Sequence, residues 1–150
     1  MDKIEKIDRK LIVKSLSKKQ KTWLKEKCPC QSSEKYQECC YPIHEGKPPL
    51  TAEILMRSRF SAFALDNIEY LMSSWHSTTR PSEILKEDPP LQWFYLKIME
   101  TESENECGES FVTFEVRYRE NGKVGKFIER SRFVIEENRW KYLDGEFLDS

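Results

Sequence analysis

Residues 110–122 read Ser110-Phe111-Val112-Thr113-Phe114-Glu115-Val116-Arg117-Tyr118-Arg119-Glu120-Asn121-Gly122. In an extended strand, Val112, Phe114, Val116 and Tyr118 share one face and Thr113, Glu115 and Arg117 share the other. Asn121-Gly122 then supplies the two residues that a tight hairpin turn favours. Downstream, a strand is predicted over Lys126 to Glu136, a turn starts at Glu137-Asn138, and Trp140, Tyr142 and Asp144 are expected on one face of a last strand. Upstream, Leu91, Trp93 and Tyr95 alternate against Phe94, Leu96 and Ile98. The pattern predicts a four-stranded antiparallel meander.

Helical periodicity precedes the strands. Thr51 is a suitable N-cap, with Glu53 near the positive helix end, for a helix running to about Leu65. At 100° per residue Ala52, Leu55, Met56, Phe60, Ala62 and Phe63 form an apolar stripe, and Arg59 falls near its centre. Asp66 or Asn67 can cap a second helix carrying Ile68, Leu71, Met72 and Trp75 and ending at His76, with Arg80-Pro81 as its stop. Ser82 to Pro90 reads as a loop with one helical turn at Glu83 to Lys86. Helices first and an antiparallel sheet afterwards define an α+β domain, since parallel strands would need interleaved crossover helices.

The chain has 150 residues, with 25 Lys+Arg against 26 Asp+Glu, a net charge of -1 and 12% aromatic residues. A chain of this length buries roughly 70% of its unfolded surface, which suits one globular domain with a small appendage. Neutrality argues against a dedicated nucleic-acid coat. No run approaches the ~18 apolar residues of a membrane span, and the first 30 residues lack the apolar block of a secretory signal, so a cytoplasmic location is expected. Residues 1–27 carry ten basic and four acidic side chains, a charge of +6 that leaves -7 on the remainder. Ile4, Ile7 and Leu11 follow a helical stripe there. The segment is either a solvated helix packed on the domain or a basic arm for RNA or an anionic membrane surface.

Four of the five cysteines fall between residues 28 and 40, as Cys28-Pro29-Cys30 and Cys39-Cys40. Adjacent cysteines make a strained disulfide, and a cytoplasmic protein is kept reduced, so four thiolates around Zn2+ account for the cluster better. Zinc binding can order a segment too short for a hydrophobic core of its own. Cys107, amid Glu104, Glu106 and Glu109, is in surroundings that disfavour a thiolate. His44 is close enough in sequence to replace a cysteine ligand, although four thiolates complete the shell.

The string from Cys28 to Cys40 resembles the SEC-C zinc motif. Residues 50–63, Tyr70-Leu71, Trp75-His76, Arg80-Pro81 and Trp140-Lys141-Tyr142-Leu143-Asp144-Gly145 resemble the YchJ-like family in their order. This resemblance implies a zinc knuckle followed by a cone-shaped α+β domain like nuclear transport factor two and ketosteroid isomerase. It supplies no activity. The family motif usually has Gly where Gln31 and Ser33 stand, and it is richer in basic residues around Lys35. The expected organisation is a basic helical extension over 1–27, a SEC-C motif over 28–42 with Cys28, Cys30, Cys39 and Cys40 as metal ligands, and a cone over 50–148, with Pro48-Pro49 as a linker.

Phe127, Glu129, Ser131, Phe133 and Ile135 share a face of the third strand. If that face is concave, Glu129 and Asp144 point toward the helices that carry Arg59 and His76, giving a polar patch inside an apolar cone. Arg59 is expected to be paired with Glu129, Asp144 or a bound anion, and His76 either joins the patch or satisfies carbonyls at a helix end. No G-x-G-x-x-G, P-loop or H-E-x-x-H is present. Two functions suit these residues. One is a non-enzymatic adaptor whose zinc knuckle recognises a protein partner; the other is a small-molecule binder or enzyme whose pocket holds an anionic group on Arg59. A filled hydrophobic interior favours the first, and a molecule trapped against Arg59 favours the second.

Overall fold

The structure, a computed structural model, describes residues 18–85 and 90–148. The stripe of Ile4, Ile7 and Leu11 and the end of the turn expected at Lys86 lie outside the described residues. Helix α1 spans Lys18–Trp23, a 3-10 turn spans Tyr36–Glu38, and α2 spans Cys40–His44. Helices α3 (Ala52–Ala64) and α4 (Ile68–Ser73) follow, and then strands β1 (Gln92–Glu102), β2 (Glu109–Glu120), β3 (Lys123–Glu136) and β4 (Arg139–Leu148). The sheet is antiparallel in the order β1-β2-β3-β4. The α+β meander therefore stands as the strand pattern predicts.

Local chemistry sets the element ends. Thr51 Oγ1 accepts from the Ile54 amide at 3.2 Å, and Asn67 Oδ1 accepts from the Tyr70 amide at 3.1 Å, so both helices start on side-chain caps. Asn121 and Gly122 (φ 51° and 77°) and Glu137 and Asn138 (φ 55° and 64°) are left-handed pairs, as two-residue hairpin turns require. Helix α4 is shorter than its apolar stripe suggests and ends at Ser73. Beyond it, the chain runs along the outer edge of β4, where Tyr142 N donates to Ser74 O at 2.9 Å and His76 N donates to Tyr142 O at 2.8 Å.

The core forms where α3 and α4 cross the concave sheet. Leu55, Met56 and Phe60 of α3 and Leu71 of α4 pack against Leu96, Val112, Phe114, Val116 and Phe133. Two strand assignments need correction. On β1 the pairing steps from Trp93↔Tyr118 to Tyr95↔Arg117, making Phe94 a bulge residue. Trp93, Leu96 and Ile98 thus share the core face, while Phe94 and Tyr95 lie outside under Arg119 and Arg117. On β4 the step from Phe133↔Tyr142 to Arg132↔Asp144 leaves Leu143 extra. Tyr142 and Asp144 consequently face opposite sides. A bulge inserts one unpaired residue, and with a side-chain period of two this reverses every assignment beyond it.

The four-cysteine knuckle and the cone cavity

Residues 24–40 fold back on themselves around the cysteines. The Tyr36 amide donates to Glu26 O at 2.8 Å, the Cys28 amide to Glu34 O at 2.7 Å, and the Gln31 amide to Cys28 O at 3.3 Å. Gln31 and Ser33 both adopt left-handed backbone, at φ 68° and 74°. These are the two positions where the resembling motif carries Gly, which occupies that region without steric cost. Ser32 Oγ lies 3.1 Å from Cys39 Sγ.

The ligand atoms of Cys28, Cys30, Cys39 and Cys40 all lie within 4.8 Å of one another. Cys30 and Cys39 sulfurs are 3.6 Å apart, and those of Cys39 and Cys40 are 4.0 Å apart. Four sulfurs at about 2.3 Å from a central zinc stand about 3.8 Å from each other, so this donor set fits a tetrahedral thiolate site. The four thiols perturb one another through their mutual hydrogen bonds. Hydrogen bonding with Cys28 pulls Cys30 far down and Cys39 to about 7, while the same bonds push Cys28 and Cys40 up. A cation removes that conflict by favouring all four thiolates. His44 is not a ligand: Nδ1 is 2.7 Å from the Tyr36 hydroxyl and Nε2 is 2.8 Å from Ser58 O, which occupies both ring nitrogens. Exposed Cys107 is remote from the cluster.

The knuckle shares its packing with the cone despite the Pro48-Pro49 linker. Ser61 on α3 places its hydroxyl 3.3 Å from both Cys28 Sγ and Cys40 Sγ. Arg57 Nη1 donates to Cys30 O at 2.7 Å, and Leu65, fully buried just after α3, packs with Tyr36 and the cysteines. Ser61 is a contact that the periodicity analysis missed. Its signal is a hydroxyl recurring three residues after Ser58 in the same helix.

Behind α3 the cone encloses a cavity of about 290 Å³. Its walls are largely aromatic: Phe63 stacks on Trp93 at 4.3 Å, and Phe127 meets both Trp93 and Phe147 edge-on. Phe147, 73% exposed, stands at the mouth. Arg59 and Glu129 both line this space, with Ser131 and Tyr142. Arg59 is 3% exposed. Its Nη1 donates to Leu71 O at 3.0 Å and to Ser74 Oγ at 2.7 Å, and its guanidinium carbon lies 4.6 Å from the Tyr142 ring centre and 5.0 Å from that of Trp75. Burial lowers its pKa to about 10, so it stays cationic at neutral pH.

Arg59 is thus interior, but it forms no ion pair with Glu129 or Asp144. Glu129 Oε2 accepts from Ser131 Oγ and, at 3.3 Å, from the Tyr142 hydroxyl; burial raises its pKa. Gly145 makes room for this carboxyl, since a Cβ there would meet Glu129 Cδ at 2.8 Å. Asp144, turned outward by the bulge at Leu143, pairs with Arg132 at 2.6 and 2.9 Å. His76 lies outside the cavity, with Nδ1 2.8 Å from Thr78 Oγ1 and Nε2 3.6 Å from Glu136. Of the four residues expected to form one patch, the structure brings Arg59 and Glu129 to a common cavity and sends Asp144 and His76 elsewhere.

A cysteine knuckle clamped onto a helix-backed, four-stranded cone defines an NTF2-like domain with a SEC-C type amino-terminal cluster. The family described as "YchJ, middle NTF2-like domain" matches residues 51–145, and the chain belongs to this family. It is 41% identical to a UPF0225 protein of Bordetella pertussis over 79% of this chain and 91% of that protein. It is 43% identical to a UPF0225 protein of Streptomyces coelicolor over 81% of this chain and 96% of the relative. Among solved structures it resembles a SEC-C motif containing protein from Rhodopseudomonas palustris, with a TM-score of 0.69, 26% identity, and coverage of 81% of this chain and 98% of that one. A sec-c motif containing protein from Psychrobacter arcticus shares the fold at a TM-score of 0.71, with 24% identity and 86% of each chain covered. No helix among the described residues is long and apolar enough to cross a membrane.

Proposed function

We propose that this protein is a small-molecule-binding module in which the four cysteines hold a structural zinc ion and the cone cavity receives the ligand. The observation that carries this reading is the open aromatic cavity of about 290 Å³ with Arg59 buried in its wall. A scaffold whose only task is to present the knuckle to a protein partner has no need of an unfilled interior. Burying a guanidinium there costs several kcal/mol unless its donors are used. The volume lies at the lower end of the range for small-molecule sites, roughly 300–1,000 Å³.

Zinc suits the knuckle because four thiolates are soft donors arranged for a tetrahedral ion, and a complete shell leaves no open position for a catalytic water. Its role is to hold the 28–40 segment against Ser61, Arg57 and Leu65, which steadies α3 from the side opposite the cavity.

Two measurements test this reading. Metal analysis of the reduced protein is expected to find about one zinc per chain, and less than half an equivalent with zinc supplied overturns the zinc assignment. Screening small aromatic fragments by NMR against the metal-loaded chain is expected to give hits that shift Phe127, Trp93 and Tyr142. Hits that map only outside the cone overturn the pocket assignment.

A further inference from the structure

Two charged side chains, Arg59 buried and Glu129 partly buried, share the cone cavity without forming an ion pair. Arg59 projects from α3 and Glu129 from β3, and among the described residues neither takes part in an ion pair. The Tyr142 ring lies between them. Arg59 sits over its face at 4.6 Å, while its hydroxyl reaches Glu129 at 3.3 Å. Each charged group keeps unused hydrogen-bonding capacity. Among the described residues, Arg59 spends only Nη1 on acceptors, leaving Nε and Nη2, and Glu129 accepts only through Oε2, leaving Oε1. Among the described residues, the buried side-chain polar atom sealed away without a partner is Trp75 Nε1. Neither Arg59 nor Glu129 has such a sealed atom, and both line the cavity.

We infer that the cavity takes a compact, net-neutral aromatic ligand whose polar end presents an acceptor to Arg59 and a donor to Glu129, a primary carboxamide being the simplest such group. This rests on the reading of the cavity as a binding site and adds the ligand's chemistry to it. A ligand carboxylate satisfies Arg59 but brings a second negative charge beside Glu129, and a ligand ammonium does the reverse at Arg59. Between largely apolar walls either like-charge contact is costly. A neutral donor-acceptor pair meets both groups and leaves the net charge of the cavity unchanged. The aromatic body follows from the walls: Phe63, Trp93, Phe127 and Phe147 offer ring faces and edges, which favour offset-stacked or edge-on partners.

The test compares three probes of one shape, 2-phenylacetamide, phenylacetate and phenethylamine, on the full metal-loaded chain. Tryptophan fluorescence gives the affinity, and NMR shifts of Phe127 and Tyr142 confirm the location. The amide is expected to bind at least tenfold more tightly than either charged probe. Glu129→Gln, checked for folding by its thermal transition, is expected to shift the preference toward phenylacetate at least tenfold, because the like charge is gone while the shape is kept. If a charged probe matches or exceeds the amide on the unsubstituted protein, with shifts at the cavity, the dipolar assignment is wrong and the pocket stands. If none of the three perturbs the cavity at millimolar concentration, both assignments fail. The ranking on the unsubstituted protein decides the class even if Glu129→Gln does not fold.

Discussion

Gly145 and Glu129 are diagonal neighbours across the β3–β4 pair, and the Glu129 carboxyl occupies the space where a Gly145 Cβ would stand, 2.8 Å from Glu129 Cδ. Gly145→Ala must therefore displace a side chain anchored by the Ser131 and Tyr142 hydroxyls. Overpacking of this kind costs about 1–3 kcal/mol. Urea denaturation is expected to show that loss, and Gly145→Ala in a Glu129→Ala background is expected to recover most of it. An unchanged midpoint for the single variant would mean that the carboxyl moves freely.

Ser61 ties the four-cysteine cluster to the cone. Because it contacts Cys28 and Cys40 while Leu65 packs against Tyr36, removing the knuckle uncovers the face of α3 opposite the cavity. A chain truncated to start at Leu50 is expected to lose its near-ultraviolet circular dichroism while retaining its far-ultraviolet signal, as loosely packed states do. Chelation of the metal, or Cys30→Ser, is expected to lower the thermal midpoint of the whole domain. Retention of a cooperative transition by the truncated chain would show that the Pro48-Pro49 linker is also an energetic boundary.

Arg59→Met removes a charge that has no ion-pair partner among the described residues, so its cost comes from the hydrogen bonds to Leu71 O and Ser74 and from the ring contacts with Trp75 and Tyr142. Hydrogen bonds from a charged group contribute about 1.5–3 kcal/mol, and a loss of about 2 kcal/mol is expected by chemical denaturation. A loss under about 0.5 kcal/mol would place the guanidinium in solvent.

His44 gives the stability a pH dependence. Burial lowers its pKa from 6.5 to about 4, so between those values the unfolded chain holds more protons than the folded one. Stability from this group is present above pH 6.5 and is lost as the pH falls toward 4, by about 3 kcal/mol at 1.36 kcal/mol per unit. Denaturation curves over this range are expected to be flatter for His44→Gln than for the unsubstituted protein. Equal slopes would mean that His44 does not carry the effect.

Ser33 holds a left-handed backbone at φ 74°. Non-glycine residues lose about 1–2 kcal/mol there, against about 0.5–1 kcal/mol of extra chain entropy for Gly. Ser33→Gly is expected to leave the metal-loaded protein as stable or slightly more stable, and Ser33→Val to destabilise it by more than about 1 kcal/mol. Thermal midpoints measured side by side check the order.

Local chemistry in the sequence determined much of this protein. Alternation through Val112, Phe114 and Val116 and the Asn121-Gly122 turn define the meander, the Thr51 hydroxyl starts α3, and the crowding of Cys28, Cys30, Cys39 and Cys40 marks the metal cluster. Each is a relation among residues close in the chain. The face of Asp144 was not legible, because the bulge at Leu143 arises from how β4 registers against β3 and reverses the period-two assignment. Trp93 joined Leu96 on the core face for the same reason, through Phe94. The grip of Ser61 on the cysteines and the meeting of Arg59 with Glu129 join residues from different elements. Only the packing of α3 between the knuckle and the sheet decided them, since alternation specifies the face a side chain takes and tertiary packing specifies what it meets there.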